Sequence, residues 1–195
     1  MKHKTRWLLI AMTLMLLNVS AMAFRFSAGA YGGLNYPVAQ QDAKSGSVFG
    51  LKLRVPLTSF LAFEPNYTHL KNGDGEVNVE DGWNTTMTHE GGKYSTFGVD
   101  LALGGVSGFK GFHSYGLFGI SSAKFAKQGI PDLTKSAYWV GLGLEFAFTD
   151  MISLELRGKT LIFPYKDEVK DNGTGSRKNG IITAGLNVYF NTGGK

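Results

Sequence analysis

His113 and Ser114 are adjacent, and an imidazole beside a hydroxyl is the beginning of a nucleophilic dyad. On an extended strand, however, consecutive side chains point to opposite faces, so neither can serve the other. His69 and His89 fall at a strand end and in a connecting segment, where an ordinary rim position accounts for them. A second constellation is the run 72–81, which places oxygen-bearing side chains at alternate positions, as a calcium loop does. Val77 stands where an EF-hand loop requires glycine, and Trp83 where it requires a bidentate glutamate. Alternating Val77 and Val79 suit a β-hairpin better. No metal or cofactor is expected. The third constellation is a set of charges, Lys52, Arg54, Glu64, Asp100, Glu145, Glu155, Arg157 and Lys159, balanced in sign and scattered over distant segments. Its chemistry depends on what brings those segments together.

The elements that carry them have a period of two. In 151–163, Ile152, Leu154, Leu156, Thr160 and Ile162 alternate with Ser153, Glu155, Arg157 and Lys159. A strand sorts these sets onto opposite faces, whereas a helix would scatter charge around every side. Seven further segments read the same way: 24–36, 47–57, 59–70, 94–103, 112–124, 136–148 and 180–190, the fifth with ambiguous parity. Their length exceeds the five or six residues common in globular strands and suits a tilted membrane-crossing strand of about 9–11 residues. The links alternate as well. Those near Leu57-Thr58-Ser59 and Thr149-Asp150-Met151 are tight, and 104–111 is intermediate. The links 37–46, 71–93, 125–135 and 164–179 are expected to be long polar loops. Short turns at one end and long loops at the other are the pattern of outer-membrane barrels.

The N-terminus supplies the route. Lys2, Lys4 and Arg6 precede an apolar run from Trp7 to Leu17, and Ala21-Met22-Ala23 offers the small residues read by a signal peptidase. The run is too short to cross a bilayer as a helix. A signal peptide over 1–23, a barrel over 24–190 and a short tail over 191–195 are therefore expected. Of the chain's 20 basic and 15 acidic residues, the leader holds three basic ones, which leaves the mature chain near neutrality. No basic stripe of the kind that binds nucleic acid is present. The chain has no cysteine, so an exported fold must be held by a core or a closed sheet.

Alternation does not say which face meets lipid, and a soluble lipocalin-like barrel has the same period with its apolar side chains inside. The charges decide. Placed in lipid, each cation costs about 2–4 kcal/mol near the midplane, whereas inside a bore the two signs neutralise each other. Glycines on the charged face, among them Gly98, Gly141, Gly143 and Gly185, make room for long neighbours. The apolar face carries aromatics toward strand ends, Phe60, Phe63, Tyr67, Tyr138, Phe148, Phe163 and Phe190, as a headgroup zone favours. The expected fold is an all-β, eight-stranded, antiparallel, up-and-down transmembrane barrel.

Val140-Gly141-Leu142-Gly143-Leu144-Glu145-Phe146-Ala147-Phe148-Thr149-Asp150 and Thr183-Ala184-Gly185-Leu186-Asn187-Val188-Tyr189-Phe190 together resemble the OmpA/OmpX-like (porin-family) outer-membrane β-barrel proteins. The first resembles the family's late hairpin. The second resembles the signal read by the barrel-assembly machinery, with Thr183, Gly185, Val188 and Phe190 in the recognised places, although Asn191 to Lys195 follow the terminal Phe. The resemblance implies a monomer in the bacterial outer membrane, with outer-membrane lipid, lipopolysaccharide and the assembly machinery as partners. The chain stops short of the peptidoglycan-binding domain of longer relatives, so glycan anchoring is not implied. Some barrels of this broad group modify lipid A, but the resembling deacylases place a residue between His and Ser, and this chain does not. A non-enzymatic, structural, loop-displaying role is expected. The alternatives are a small or gated solute pore and a lipid A-modifying enzyme. Lys166, Asp167, Glu168, Lys170, Arg177 and Lys178 read as a solvated loop whose cations could touch lipopolysaccharide phosphates.

Overall fold

A sheet in hydrocarbon must pair every backbone N–H and C=O, which an open sheet cannot do at its edges. The computed structural model, which describes residues 25–38, 43–79, 85–89, 91–106, 110–164 and 176–191, meets this demand by closure. Its strands are β1 (Arg25–Val38), β2 (Ala43–Pro56), β3 (Leu61–Val79), β4 (Thr85–His89), β5 (Lys93–Gly104), β6 (Gly111–Lys127), β7 (Ile130–Ala147), β8 (Ile152–Pro164) and β9 (Ser176–Asn191). Neighbours in sequence pair antiparallel, except that β5 pairs with β3 and not with β4, and β1 meets β9 from Arg25↔Asn191 to Val38↔Lys178. β4 is not a ninth wall strand. It continues the β5 arm past a break at Gly91 and Gly92, the latter at φ 80°, and pairs with the far end of β3 from Gly75↔His89 to Val79↔Thr85. The wall therefore has the eight-stranded antiparallel form, with the β3–β4 ribbon rising above it.

Both tight turns are built alike. Thr149 Oγ1 accepts from the backbone N–H of Met151 (3.1 Å) and Ile152 (3.0 Å), and Thr58 Oγ1 accepts from that of Phe60 (3.3 Å). A hydroxyl that closes a local ring in this way allows a reversal without glycine.

The opposite end differs from the sequence expectation. The link 125–135 is no loop: β6 and β7 stay paired to Lys127↔Ile130, reversing through Gln128 and Gly129 at φ 78°. Likewise β3 and β4 occupy most of 71–93, so the calcium-like run lies on a strand through Val79. Beyond the hydrocarbon both faces of a strand meet water, and the alternation that marks a strand disappears. The ladder takes in Asn191, paired with Arg25, which the sequence had assigned to the tail. The expected leader 1–23, residues 192–195, Asp81, Trp83, Lys166, Asp167, Glu168 and Lys170 lie outside the described residues.

The wall is apolar outside and charged inside. Leu142 is 71% exposed and Phe97 69%, while Leu154, Leu156 and Leu186 also face outward. Phe163, expected on the lipid face, is fully buried in the bore, because it shares parity with Arg157 and Lys159. The ambiguity of β6 also resolves: Tyr115, Leu117, Ser121, Ala123 and Phe125 point inward, an inner set that is itself largely apolar.

Candidate functional site

The bore is filled in tiers. Charges taken out of water are tolerated only when paired and hydrogen-bonded, and the middle tier arranges this around two guanidinium groups. Arg54, on β2, reaches three carboxylates: Nε lies 2.5 Å from Glu64 Oε1 on β3, Nη2 2.8 Å from Glu155 Oε1 on β8, and Nη1 bonds Glu145 on β7. Arg157 Nη2 lies 2.7 Å from Glu64 Oε2, and its Nε is 2.7 Å from Glu155 Oε2. Lys52 Nζ completes Glu155 at 2.5 Å, and Lys159 pairs with Asp100 across from β8 to β5. All eight charged side chains are buried, four of each sign.

Neutral groups take up further lone pairs of Glu145 and Glu155. Glu145 accepts from Tyr189 Oη (2.5 Å), from Ser153 Oγ and from Asn187 Nδ2 (3.3 Å). Tyr115 donates to Glu155, and the guanidiniums of Arg54 (4.7 Å to the centroid) and Arg157 (5.6 Å) both lie over its ring. The Lys159 ammonium sits 4.4 Å from the Trp139 ring centroid, and Trp139 Nε1 donates to Ser121 Oγ at 3.1 Å.

Toward the loop end the buried ion pairs give way to apolar side chains, with the half-buried Arg177 over the Phe125 ring at 5.2 Å. Val48, Leu70, Tyr94, Ala123, Phe125, Ala137, Trp139, Leu161, Phe163 and Ile181 form a buried apolar cluster, with the Tyr94 and Phe125 rings 4.7 Å apart. An amide group adjoins the cluster, with Asn179 in register with Leu161 and Asn35 with Ile181. Asn179 Nδ2 donates to Asn35 Oδ1 (3.1 Å) and Asn72 Oδ1 (2.9 Å), and Asn35 donates to Asn72. Neither the apolar cluster nor the tyrosines were named from the sequence. Extending the inward parity of Glu155, Arg157 and Lys159 to Leu161 and Phe163 is the signal that finds the cluster.

Glycine makes this filling possible. Tyr115 lies across from Gly104 and Gly143, and Tyr31 across from Gly50 and Gly185, so each ring lies flat over strands that lack a Cβ. A Cβ at Gly143 would overlap the Tyr115 ring. Gly143→Val is therefore expected to evict that ring and lower stability by about 1–3 kcal/mol. At Gly158, which faces outward with nothing within 4 Å, the same change should be nearly neutral. The urea midpoint of the refolded barrel checks the pair.

The remaining candidates are dispersed. His113 has inward parity and Ser114 is exposed on the outer face, so the adjacent pair is split. Among the described residues no group of His, Asp and Glu converges as a metal would require. The carboxylates that do converge hold guanidinium groups. A pair that the sequence did not suggest is His69 Nδ1 with Ser95 Oγ, 3.0 Å apart on the outward side of β3 and β5. Among the described residues no carboxylate orients that imidazole, and the surrounding backbone N–H groups are engaged in the ladder, so no oxyanion donors stand ready. Of the β9 residues, Thr183 and Gly185 face the bore while Val188 and Phe190 face outward. The Phe190 ring stacks on Phe26 at 5.1 Å, across the closing seam.

The family profile described as "Outer membrane protein beta-barrel domain" matches residues 9–190. Among solved structures, Neisserial surface protein A (NspA) superposes with a TM-score of 0.59 at 17% identity, covering 86% of this chain and 97% of that one. The N-terminal β-barrel domain of Pseudomonas aeruginosa OprF gives 0.56 at 12% identity, over 85% and 97%. Ail, the attachment invasion locus protein of Yersinia pestis, gives 0.52 at 16% identity, over 87% and 100%. At such identities the likeness is one of fold. A sequence search of curated proteins finds no match.

Proposed function

Because this chain belongs to the outer membrane protein beta-barrel domain family, and so sits in the bacterial outer membrane, we propose that it is a non-enzymatic, monomeric barrel whose task is to hold its connecting segments outside the cell. The observation that carries this reading is the filled bore. Ion pairs, an apolar cluster and a group of linked amides occupy it, and each draws on several strands. Eight strands leave an interior that side chains can fill, and here they do. An open water path, as a pore needs, is disfavoured by the same filling. A lipid A-modifying activity lacks an oriented base beside a nucleophile among the described residues.

What remains to present is the loop end. The β3–β4 ribbon stands above the wall, and the links 80–84 and 165–175 are among those at that end. Strands of 16 to 19 residues in β3, β6, β7 and β9 exceed the 9–11 that a tilted crossing needs, so their outer portions stand in water. The partners proposed are outer-membrane lipid and lipopolysaccharide around the wall. The barrel-assembly machinery would read Thr183, Gly185, Val188 and Phe190 on β9, the strand that completes the cylinder against β1. Nucleic acid is not among the partners proposed.

The absence of native cysteine gives a clean test. Single cysteines at Gln128, in the β6–β7 turn, and at Asp150, in the β7–β8 turn, are exposed to a membrane-impermeant maleimide. Gln128→Cys is expected to label on intact cells and Asp150→Cys only after lysis. The reverse pattern would invert the barrel and end the loop-display reading.

A further inference from the structure

Proline has no N–H to give to a ladder, so within sheets it keeps to strand ends, edges and bulges. Four of the five prolines obey: Pro37, Pro56, Pro131 and Pro164 stand within two residues of a strand end. Pro65 is the fifth residue of β3, inside a closed wall, with Phe63 and Leu53 exposed on the outward face beside it. β3 and β5 pair without interruption through Pro65↔Val99. The missing N–H therefore belongs to the β2 side, and there the ladder breaks. It runs to Lys52↔Asn66, omits Leu53, Arg54, Glu64 and Pro65, and resumes at Val55↔Phe63 in the same register. Among the described residues no other seam of the wall is interrupted away from its loop end. The Leu53 carbonyl is left facing a proline nitrogen in the apolar band, where hydrocarbon supplies no donor.

What spans the gap is a side-chain pair. By the register on either side, Arg54 and Glu64 are directly opposed at the omitted rungs, and Arg54 Nε lies 2.5 Å from Glu64 Oε1. Asn66 Nδ2 donates to Glu64 O at 3.0 Å, which braces the β3 backbone around the proline. Two buried polar atoms beside the gap have no hydrogen-bond partner. They are Ser27 Oγ, in register with Arg54, and Asn66 Oδ1, in register with Lys52. Two orphan side-chain oxygens and a carbonyl short of its ladder donor thus surround one point of the wall. Water is the molecule that serves such groups, since it bonds several of them at once.

We propose that the β2–β3 seam at Pro65 is the point where the wall opens to admit water to the ion pairs of the bore, with Arg54–Glu64 as its latch. Parting the strands here starts from a ladder already short of one bond. What remains to be undone is the latch, and both of its members are insured against release. Arg54 keeps Glu145 and Glu155, and Glu64 keeps Arg157, all three on other strands. Opening therefore leaves no buried charge without a counter-ion, which is what makes the rupture of an ordinary buried pair so unfavourable. The device belongs to the wall itself and does not depend on which end of the barrel faces the cell exterior.

Hydrogen exchange of the full barrel folded in phosphatidylcholine vesicles, read by mass spectrometry on overlapping fragments, tests it. The amides of Leu53, Val55 and Phe63 face across this seam, because alternate residues of a strand direct their N–H to the same neighbour. Corrected for intrinsic rate, they are expected to exchange roughly tenfold faster than the amides joining β7 to β8 around Leu144↔Leu156. That factor is about 1.4 kcal/mol of opening, the order of one ladder bond. Pro65→Val restores the donor and is expected to slow the seam to the β7–β8 rate. Glu64→Gln weakens the latch and is expected to speed the seam a further roughly tenfold. Glu145→Gln, which takes from Arg54 a carboxylate on β7, is expected to leave the seam unchanged. Equal rates at the two seams of the wild-type barrel would overturn the proposal, as would a Pro65→Val barrel that exchanges as fast as wild type. A Glu64→Gln effect no larger than that of Glu145→Gln would remove the latch. Should Glu64→Gln fail to fold, the comparison of wild type with Pro65→Val decides alone.

Discussion

Arg54→Met is expected to destabilise the barrel by about 3–5 kcal/mol, enough to deplete the compact form that migrates faster on an unheated gel. The reason is local. Arg54 serves Glu64 at 2.5 Å, Glu155 at 2.8 Å and Glu145 as well, and stacks on Tyr115. Without it Glu145 loses its cation, and the bore keeps four carboxylates against three cations. Removing one partner of a buried pair is far worse than removing both, since the survivor keeps its desolvation cost. The double variant R54M/E145Q is therefore expected to recover most of the loss. Arg157 and Lys52 still hold Glu64 and Glu155, and residue 145 keeps Tyr189 and Ser153 beside it. Urea titration of barrel folded in vesicles measures both. An R54M protein as stable as wild type would show that the ion pairs are dispensable.

The second large effect lies on the other face of the wall. Leu142→Arg is expected to cost about 2–4 kcal/mol, because this side chain, 71% exposed, lies in the apolar band of β7. At Ser136, six residues nearer the loop end on the same outward face, arginine should cost no more than about 1 kcal/mol. A soluble protein with Leu142 in water would accept the charge within about 0.5 kcal/mol. The gradient between the two positions, measured as folding free energy in vesicles, is thus a depth measurement. Equal and small values would mean that this surface does not meet hydrocarbon.

The wall was legible in the sequence to the extent that hydrocarbon imposed it. Between Ile152 and Lys159 one face must be greasy and the other is not, and alternation records that directly. Where the wall stands in water the constraint lapses, which is why Ala126, Lys127, Pro131 and Asp132 read as loop although β6 and β7 run through them to a two-residue turn. Phe163 misled for a related reason: an aromatic near a strand end suits either the headgroup belt or an apolar bore, and only strict counting from Lys159 chooses. The partition of charges into pairs was not legible. That Arg54 takes Glu145 while Lys159 takes Asp100 depends on strand stagger around a closed cylinder, which no local pattern encodes. The His69–Ser95 contact was hidden in the same way, since it needs β3 placed against β5 at a known register.

The tyrosines of the bore carry a consequence for how such a chain can drift. Tyr115 sits against Gly143 and Tyr31 against Gly50, so each hydroxyl-bearing ring is tied to a bare backbone on a neighbouring strand. Neither partner can change alone: enlarging the glycine ejects the ring, and shrinking the ring opens a hole beside buried ions. Inherited variation at these positions should therefore arrive in couples, while the outward residues between them exchange freely among oily types and leave no trace in fitness.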